Sequence, residues 1–125
     1  MNRSGGYHTM SEYKDYITTA DASGSINISE EVIAVIAAGA ISDVQGVSLY
    51  TRQENIGKKT VAKRVRIRIE ESNDISVDAY VTVDLGTAIK EAAREVQTAV
   101  RTAVEAATGQ KVKAVNVHVG GVNRG

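Results

Sequence analysis

Four residue types are missing from this chain, and each absence narrows what it can be. With no cysteine among its 125 residues, disulfides, thiolate metal sites and thiol nucleophiles are excluded. Phenylalanine, tryptophan and proline are absent too. The 42% of residues that are apolar suffice for a modest core, built from valine, isoleucine and alanine. A charge of one sign is also lacking. Fifteen basic and fifteen acidic residues cancel, so no global field draws the chain onto nucleic acid or anionic lipid. No apolar run approaches the ~20 residues of a membrane helix, and direct membrane insertion is not expected. The first residues do not follow the charged, apolar, small order of a signal peptide. The expectation is a soluble cytoplasmic protein of one domain with a tail.

What the chain does have is strict alternation. From Val61 to Asp84 the sequence VAKRVRIRIEESNDISVDAYVTVD puts Val61, Val65, Ile67 and Ile69 on one parity and Arg64, Arg66, Arg68 and Glu70 on the other. After Ser72-Asn73-Asp74, Ile75, Val77, Ala79, Val81 and Val83 alternate with Ser76, Asp78, Tyr80, Thr82 and Asp84. A period of two means two half-buried strands, one face on a core and one in water. Odd loop lengths keep the faces apart. A three-residue loop, Ser72 to Asp74, would pair Ile69 with Val77, Ile67 with Ala79 and Val65 with Val81. It would also set Arg68 beside Asp78 and Arg66 beside Tyr80, neighbours worth about 0.2–1 kcal/mol each.

Residues 1–23 show no clear period and are expected to form a flexible N-terminal tail or weakly helical arm. Order is expected from Gly24, with Ser25 to Ile28 a short strand. Ser29 then caps a helix whose first turn carries Glu30 and Glu31. Its apolar positions run from Val32 to Val44, it stops before Gly46, and Gly39 would let another element approach closely. Val47, Leu49 and Thr51 begin a further strand, followed by a polar, basic loop from Arg52 to Thr60. Thr87 can cap a second helix, with Ile89, Ala92, Val96, Val100 and Val104 in its buried stripe and Gly109 as its stop. In the closing strand, Lys111 to Val119, Val115, Val117 and Val119 face inward, while Ala114, Asn116 and His118 face outward. The order is β-α-β-β-β-α-β, an α+β domain over 24–122 with a short tail at 123–125. A single mainly antiparallel sheet with both helices on one face buries every stripe, and leaves the other face open and polar.

That polar face carries the candidate residues. Between Arg52 and Arg68 seven basic residues face one carboxylate, Glu54. Arg64, Arg66 and Arg68 read either as a solvated strand face or as an interaction surface for an acidic partner. Asp78, Tyr80, Asn116 and His118 complete the candidate surface. A lone His118 beside Asn116 does not make a general base. There is no G-x-S-x-G elbow, no set of metal ligands at usable spacing and no phosphate loop. No catalytic residue, cofactor or metal is therefore expected. Gly120-Gly121 reads as an anion nest or, more simply, as the end of a strand. A small sheet with basic strands is also compatible with RNA binding. Only Tyr80 is available for stacking, however, no RNP or GXXG signature is present, and the net charge is zero.

Four segments together resemble the alkaline-shock/Gls family of Gram-positive envelope-stress proteins. They are ISEEVIAVIAAGAISDVQGV (Ile28 to Val47), VDAYVTVDLG (Val77 to Gly86), IKEAAREVQTAVRTAVEAATG (Ile89 to Gly109) and VNVHVGGV (Val115 to Val122). The resemblance covers roughly Gly24 to Val122. It implies a non-enzymatic cytoplasmic protein of envelope homeostasis and alkaline or general stress, one that self-associates and is held at the membrane by a separate integral membrane partner. It brings no catalytic residues with it. The tail, the short Arg52 to Thr60 loop and Lys90, where relatives often carry proline, depart from the family pattern and bear on the partner more than on the fold.

Overall fold

Strand β5 (Ile75–Asp84) is the centre of the molecule. Its residues Ile75, Val77, Ala79, Val81 and Val83 are all buried, as the alternation requires. The computed structural model describes residues 13–50 and 64–124. The other elements are β1 (Tyr16–Asp21), β2 (Gly24–Ser29), α1 (Glu30–Ser42), β3 (Val47–Leu49), β4 (Val65–Ile69), α2 (Ile89–Thr108) and β6 (Val112–Asn123). The α+β class and the order from β2 onward are those read from the sequence. Expectations for the Arg52 to Thr60 loop, Val61, Lys58, Lys59, Lys63 and His8 lie outside the described residues.

Strand β6 runs parallel to β5 along its full length. The antiparallel partners therefore share the opposite side of β5 in series, β3 opposite Val81–Val83 and β4 opposite Ile75–Ala79. The parallel pair departs from the antiparallel rule for a simple reason. Helix α2 carries the chain back along the sheet, so β6 re-enters in the direction of β5. Strand β2 does not join this sheet; it pairs with β1 in a separate two-stranded unit.

The β4–β5 loop is three residues long, as expected, but sits one residue earlier, at Glu71–Asn73. Asn73 takes the left-handed conformation, φ 73°, and its amide donates to the Glu70 carbonyl at 2.8 Å. Asparagine tolerates that conformation where bulkier residues do not. The register becomes Ile69 with Ile75, Ile67 with Val77 and Val65 with Ala79. It slides by two, so both faces keep their character.

Both helices pack on the same face of the main sheet and against each other. Ile33, Ala37 and Ile41 of α1 meet Val96, Val100 and Val104 of α2 in one continuous core. Each fully buried valine or isoleucine contributes about 1.5–3 kcal/mol. Ser29 caps α1 as expected, its hydroxyl accepting from the Val32 amide at 3.2 Å. The cap position of α2 is Ala88, without a side-chain bond. Thr87 is spent elsewhere: its hydroxyl lies 3.0 Å from where a Cβ on Gly46 would stand, and Gly46 needs φ 83°. Among the described residues nothing comes within 4 Å of where a Cβ on Gly39 would stand, so none of them makes the close approach expected there. Gly120-Gly121 does not end β6, which continues to Asn123; the pair makes a bulge, with Val81 opposite Val119 and Thr82 opposite Gly121.

The largest correction concerns residues 13–23, the described part of the expected N-terminal tail; residues 1–12 lie outside the described residues. Tyr16–Asp21 is a strand, and Ile17 is 0% exposed. The Lys14 amide donates to the Ile69 carbonyl at 2.7 Å and the Glu30 amide to the Asp15 carbonyl at 2.9 Å. The segment was unreadable because only one of its six residues is buried. Ile17→Ala should destabilise the domain by about 2–5 kcal/mol, read as a lower urea midpoint at unchanged slope. An unchanged midpoint would mean the segment is dispensable to the fold.

Candidate interaction surface

The outward residues of β5 meet those of β4 and β6 on the polar face. In register, Asp78 lies between Arg66 and Asn116, and Tyr80 lies beside His118. Asp78 is the hub. Its carboxylate pairs with the Arg68 guanidinium, accepts from Asn116 Nδ2 at 2.9 Å, and stands 3.5 Å from His118 Nε2. The His118 ring stacks on Tyr80, centroids 4.5 Å apart and planes 14° from parallel. One carboxylate thus engages three side chains on the two flanking strands, and through His118 it bears on Tyr80.

A residue outside the sequence candidates completes the surface. Tyr50, just after β3, donates its amide to the Tyr80 carbonyl at 2.9 Å, and its ring lies over the backbone of Gly120 and Gly121. A Cβ on Gly120 would stand 3.4 Å from that ring, so the glycine pair is the seat of Tyr50. Arg64 also lies over the Tyr50 ring, its guanidinium carbon 5.2 Å from the centroid, a favourable cation–π distance. Extending the outward parity of β3 from Ser48 to Tyr50 would have found it. Tyr50, Tyr80 and His118 form a ridge across three strands, and such aromatic residues are enriched where binding energy concentrates.

The arginine strip is not a continuous basic surface. Arg64 is engaged by Tyr50 and Arg68 by Asp78, while Arg66 lines an open groove of about 580 Å³ that also holds Asp15, Glu30 and Glu31. The charges there are mixed, and a phosphate backbone would meet three carboxylates beside one guanidinium. Burial and then the Asp15 charge push the Glu30 carboxyl up. For Asp78, burial pushes upward. The bonds from Asn116 and Arg68, the Arg68 charge and His118 outweigh it, leaving the carboxyl below its usual value. Among the described residues, no cluster of three or more His, Asp or Glu could hold a metal, and no helix is long and apolar enough to cross a membrane.

Residues 18–124 match the model of the alkaline-shock protein 23 family, described as having cell envelope-related function. YloU of Bacillus subtilis, described as an uncharacterized protein, is 36% identical over 107 residues, covering 79% of this chain and 88% of that protein. Spy1535 of Streptococcus pyogenes serotype M6, described in the same way, is 31% identical over 107 residues, covering 83% of each. YqhY of Bacillus subtilis is 30% identical over 105 residues, covering 79% of this chain and 77% of its own. No solved structure matches. The RNA-binding alternative gains no support from these similarities.

The lowered Asp78 value has a signed consequence. Its stabilising contribution is complete above the ordinary value of 3.8 and is lost as pH falls through the lower folded value. Asp78→Asn should therefore be less stable than the parent at pH 7, and the difference should shrink as pH falls below the ordinary value of 3.8. The raised Glu30 acts in the opposite sense. It opposes folding above its ordinary value of 4.5, so Glu30→Gln should be neutral or stabilising at pH 7. Urea midpoints across this pH range test both signs.

Proposed function

From the fact that the chain belongs to the alkaline-shock protein 23 family, of cell envelope-related function, we propose that it is a non-enzymatic, self-associating interaction module. It works beside the membrane, in the cytoplasm, through a separate membrane-spanning partner. The observation that carries this reading is the ridge of Tyr50, Tyr80 and His118, set rigidly on an open sheet face. Tyr80 is 36% exposed, and its stacking partner is steered by Asp78. Pre-ordered aromatic side chains on a flat surface lose little entropy on docking.

A catalytic reading has less behind it. His118 is beside a carboxylate, but on an exposed sheet face and stacked on a tyrosine, with Asn116 and Arg68 sharing the same carboxylate. An envelope role for a chain with no membrane-crossing helix among its described residues calls for another protein to hold it there.

Capture from detergent-solubilised membranes of the host, with the chain tagged, tests the proposal. Wild type should retain an integral membrane protein, and Tyr80→Ala combined with His118→Ala should lose it. Arg94→Ala, on the outer side of α2, should not. If wild type retains no membrane protein, the partner reading fails. If the double variant keeps the same partners, the ridge is not the docking surface.

A further inference from the structure

Strand β4 has a full strand neighbour, β5, on one side only. The Glu70 amide donates to the Asp74 carbonyl at 2.9 Å, so Arg66 and Arg68, on the same parity, turn their backbone groups toward β5. Val65, Ile67 and Ile69 therefore turn theirs to the outer side. Ile69 is met there, its carbonyl accepting from the Lys14 amide at 2.7 Å in an antiparallel bridge. Continued in that register, Tyr16 would stand opposite Ile67 and Thr18 opposite Val65. The chain turns away instead. The Asp15 carbonyl accepts from the Glu30 amide at 2.9 Å, and β1 pairs with β2, Tyr16 opposite Ser29. Among the described residues, no hydrogen bond reaches the backbone of Val65 or Ile67 from the outer side.

The place that β1 leaves beside β4 is the groove of about 580 Å³, within the roughly 300–1,000 Å³ of ligand clefts. Val65 and Ile67 line it, with Asp15, Tyr16 and the first turn of α1 around them. Its charge is sorted. Glu30 and Glu31 belong to the helix layer, while Arg66 stands on the open face with the other outward residues of β4. Among the described residues, no ion pair joins Asp15, Glu30, Glu31 or Arg66. The helix dipole favours Glu30 and Glu31. Asp15 comes from another segment, and its charge adds to burial in raising the Glu30 carboxyl. A cation brought into the groove would relieve that repulsion.

We infer that this groove takes an extended segment of another protein as an added strand beside Val65 and Ile67, with lysine or arginine on the side facing Glu30 and Glu31. Strand addition draws affinity from unmet backbone groups and specificity from the surroundings of alternate side chains. Both are present here. Successive side chains of a strand point to opposite faces, so one parity of the incoming segment meets carboxylates and the other meets Arg66. Basic residues at alternate positions, with neutral or acidic ones between them, fit both sides. A lone cation would answer the carboxylates and leave the strand edge unmet. The inference does not depend on the docking proposed at the aromatic ridge.

Amide NMR spectra of the full chain, titrated with the end-capped peptide VKTKV, test this. In the chain alone the Val65 and Ile67 amides should exchange quickly with solvent. The peptide should shift both amides and slow their exchange. Glu30→Gln with Glu31→Gln should weaken its binding about fivefold or more. Glu91→Gln with Glu95→Gln, on the exposed side of α2, should leave it unchanged, and urea midpoints would confirm that both variants fold. The end-capped peptide VETEV should leave the two amides unmoved. Equal binding by VETEV would overturn the charge selection, and equal shifts from N-acetyl-lysine amide would overturn the added strand. No binding of VKTKV, or slow exchange of both amides in the chain alone, would overturn the whole inference. Protection that rises with the concentration of the chain alone would give the edge to a second copy and overturn it likewise.

Discussion

Strand β5 is hydrogen-bonded on both sides, by β6 along its whole length and by β3 and β4 in series. A strand in that position has no freedom to slide, because a one-residue slip would turn Val77, Ala79 and Val81 to water. The rest of the molecule takes its place from this constraint. The inner parity receives α1 and α2, and the outer parity collects the polar side chains of three other strands. Because β3 ends opposite Val81 and β4 begins opposite Ala79, the residues that flank them, Tyr50 and Arg64, come together beside Tyr80.

The core works with small parts. Lacking phenylalanine and tryptophan, it fills its volume with isoleucine and valine and relies on alanine to let the helices close on each other. Alanines at Ala34, Ala37, Ala38 and Ala92 are all buried. Such a core gains less per residue than an aromatic one, which gives weight to peripheral elements. Strand β1 contributes a single side chain, Ile17, yet that side chain is fully buried. Helix α1 shows the opposite imbalance. Between Glu31 and Asp43 it carries no charge, so its outer side presents Val32, Val35 and Gly39 to solvent.

On the polar face, the chemistry follows from sharing. Arginines that look like a row in the sequence are distributed among different partners once strands are paired: one to an aromatic ring, one to a carboxylate, one to an acidic groove. A guanidinium already bonded to Asp78 offers little to a phosphate. What is left exposed is the aromatic ridge, whose orientation depends on Asp78 through His118 and on the Gly120-Gly121 bulge through Tyr50.

Periodicity alone was enough for β4, β5, α2 and the inward valines of β6, because each has a buried stripe that only one secondary structure can produce. Capping chemistry sufficed for the start of α1 at Ser29 and the end of α2 at Gly109, where the backbone is left-handed. The outward set of Arg68, Asp78, Tyr80, Asn116 and His118 was also legible, since parity places each on the wet face. The pairing of Arg68 with Asp78 was legible too, but the convergence of Asn116 and His118 on the same carboxylate was not. Strand alternation says which side a residue faces, but not which strand lies beside it. The two-residue shift set by Asn73 is a local turn choice that parity does not decide, whereas the parallel entry of β6, the seat of Tyr50 on two glycines and the burial of Ile17 all depend on contacts between segments far apart in the chain. Local sequence leaves such contacts undetermined, because their free energy exists only once the two surfaces have met.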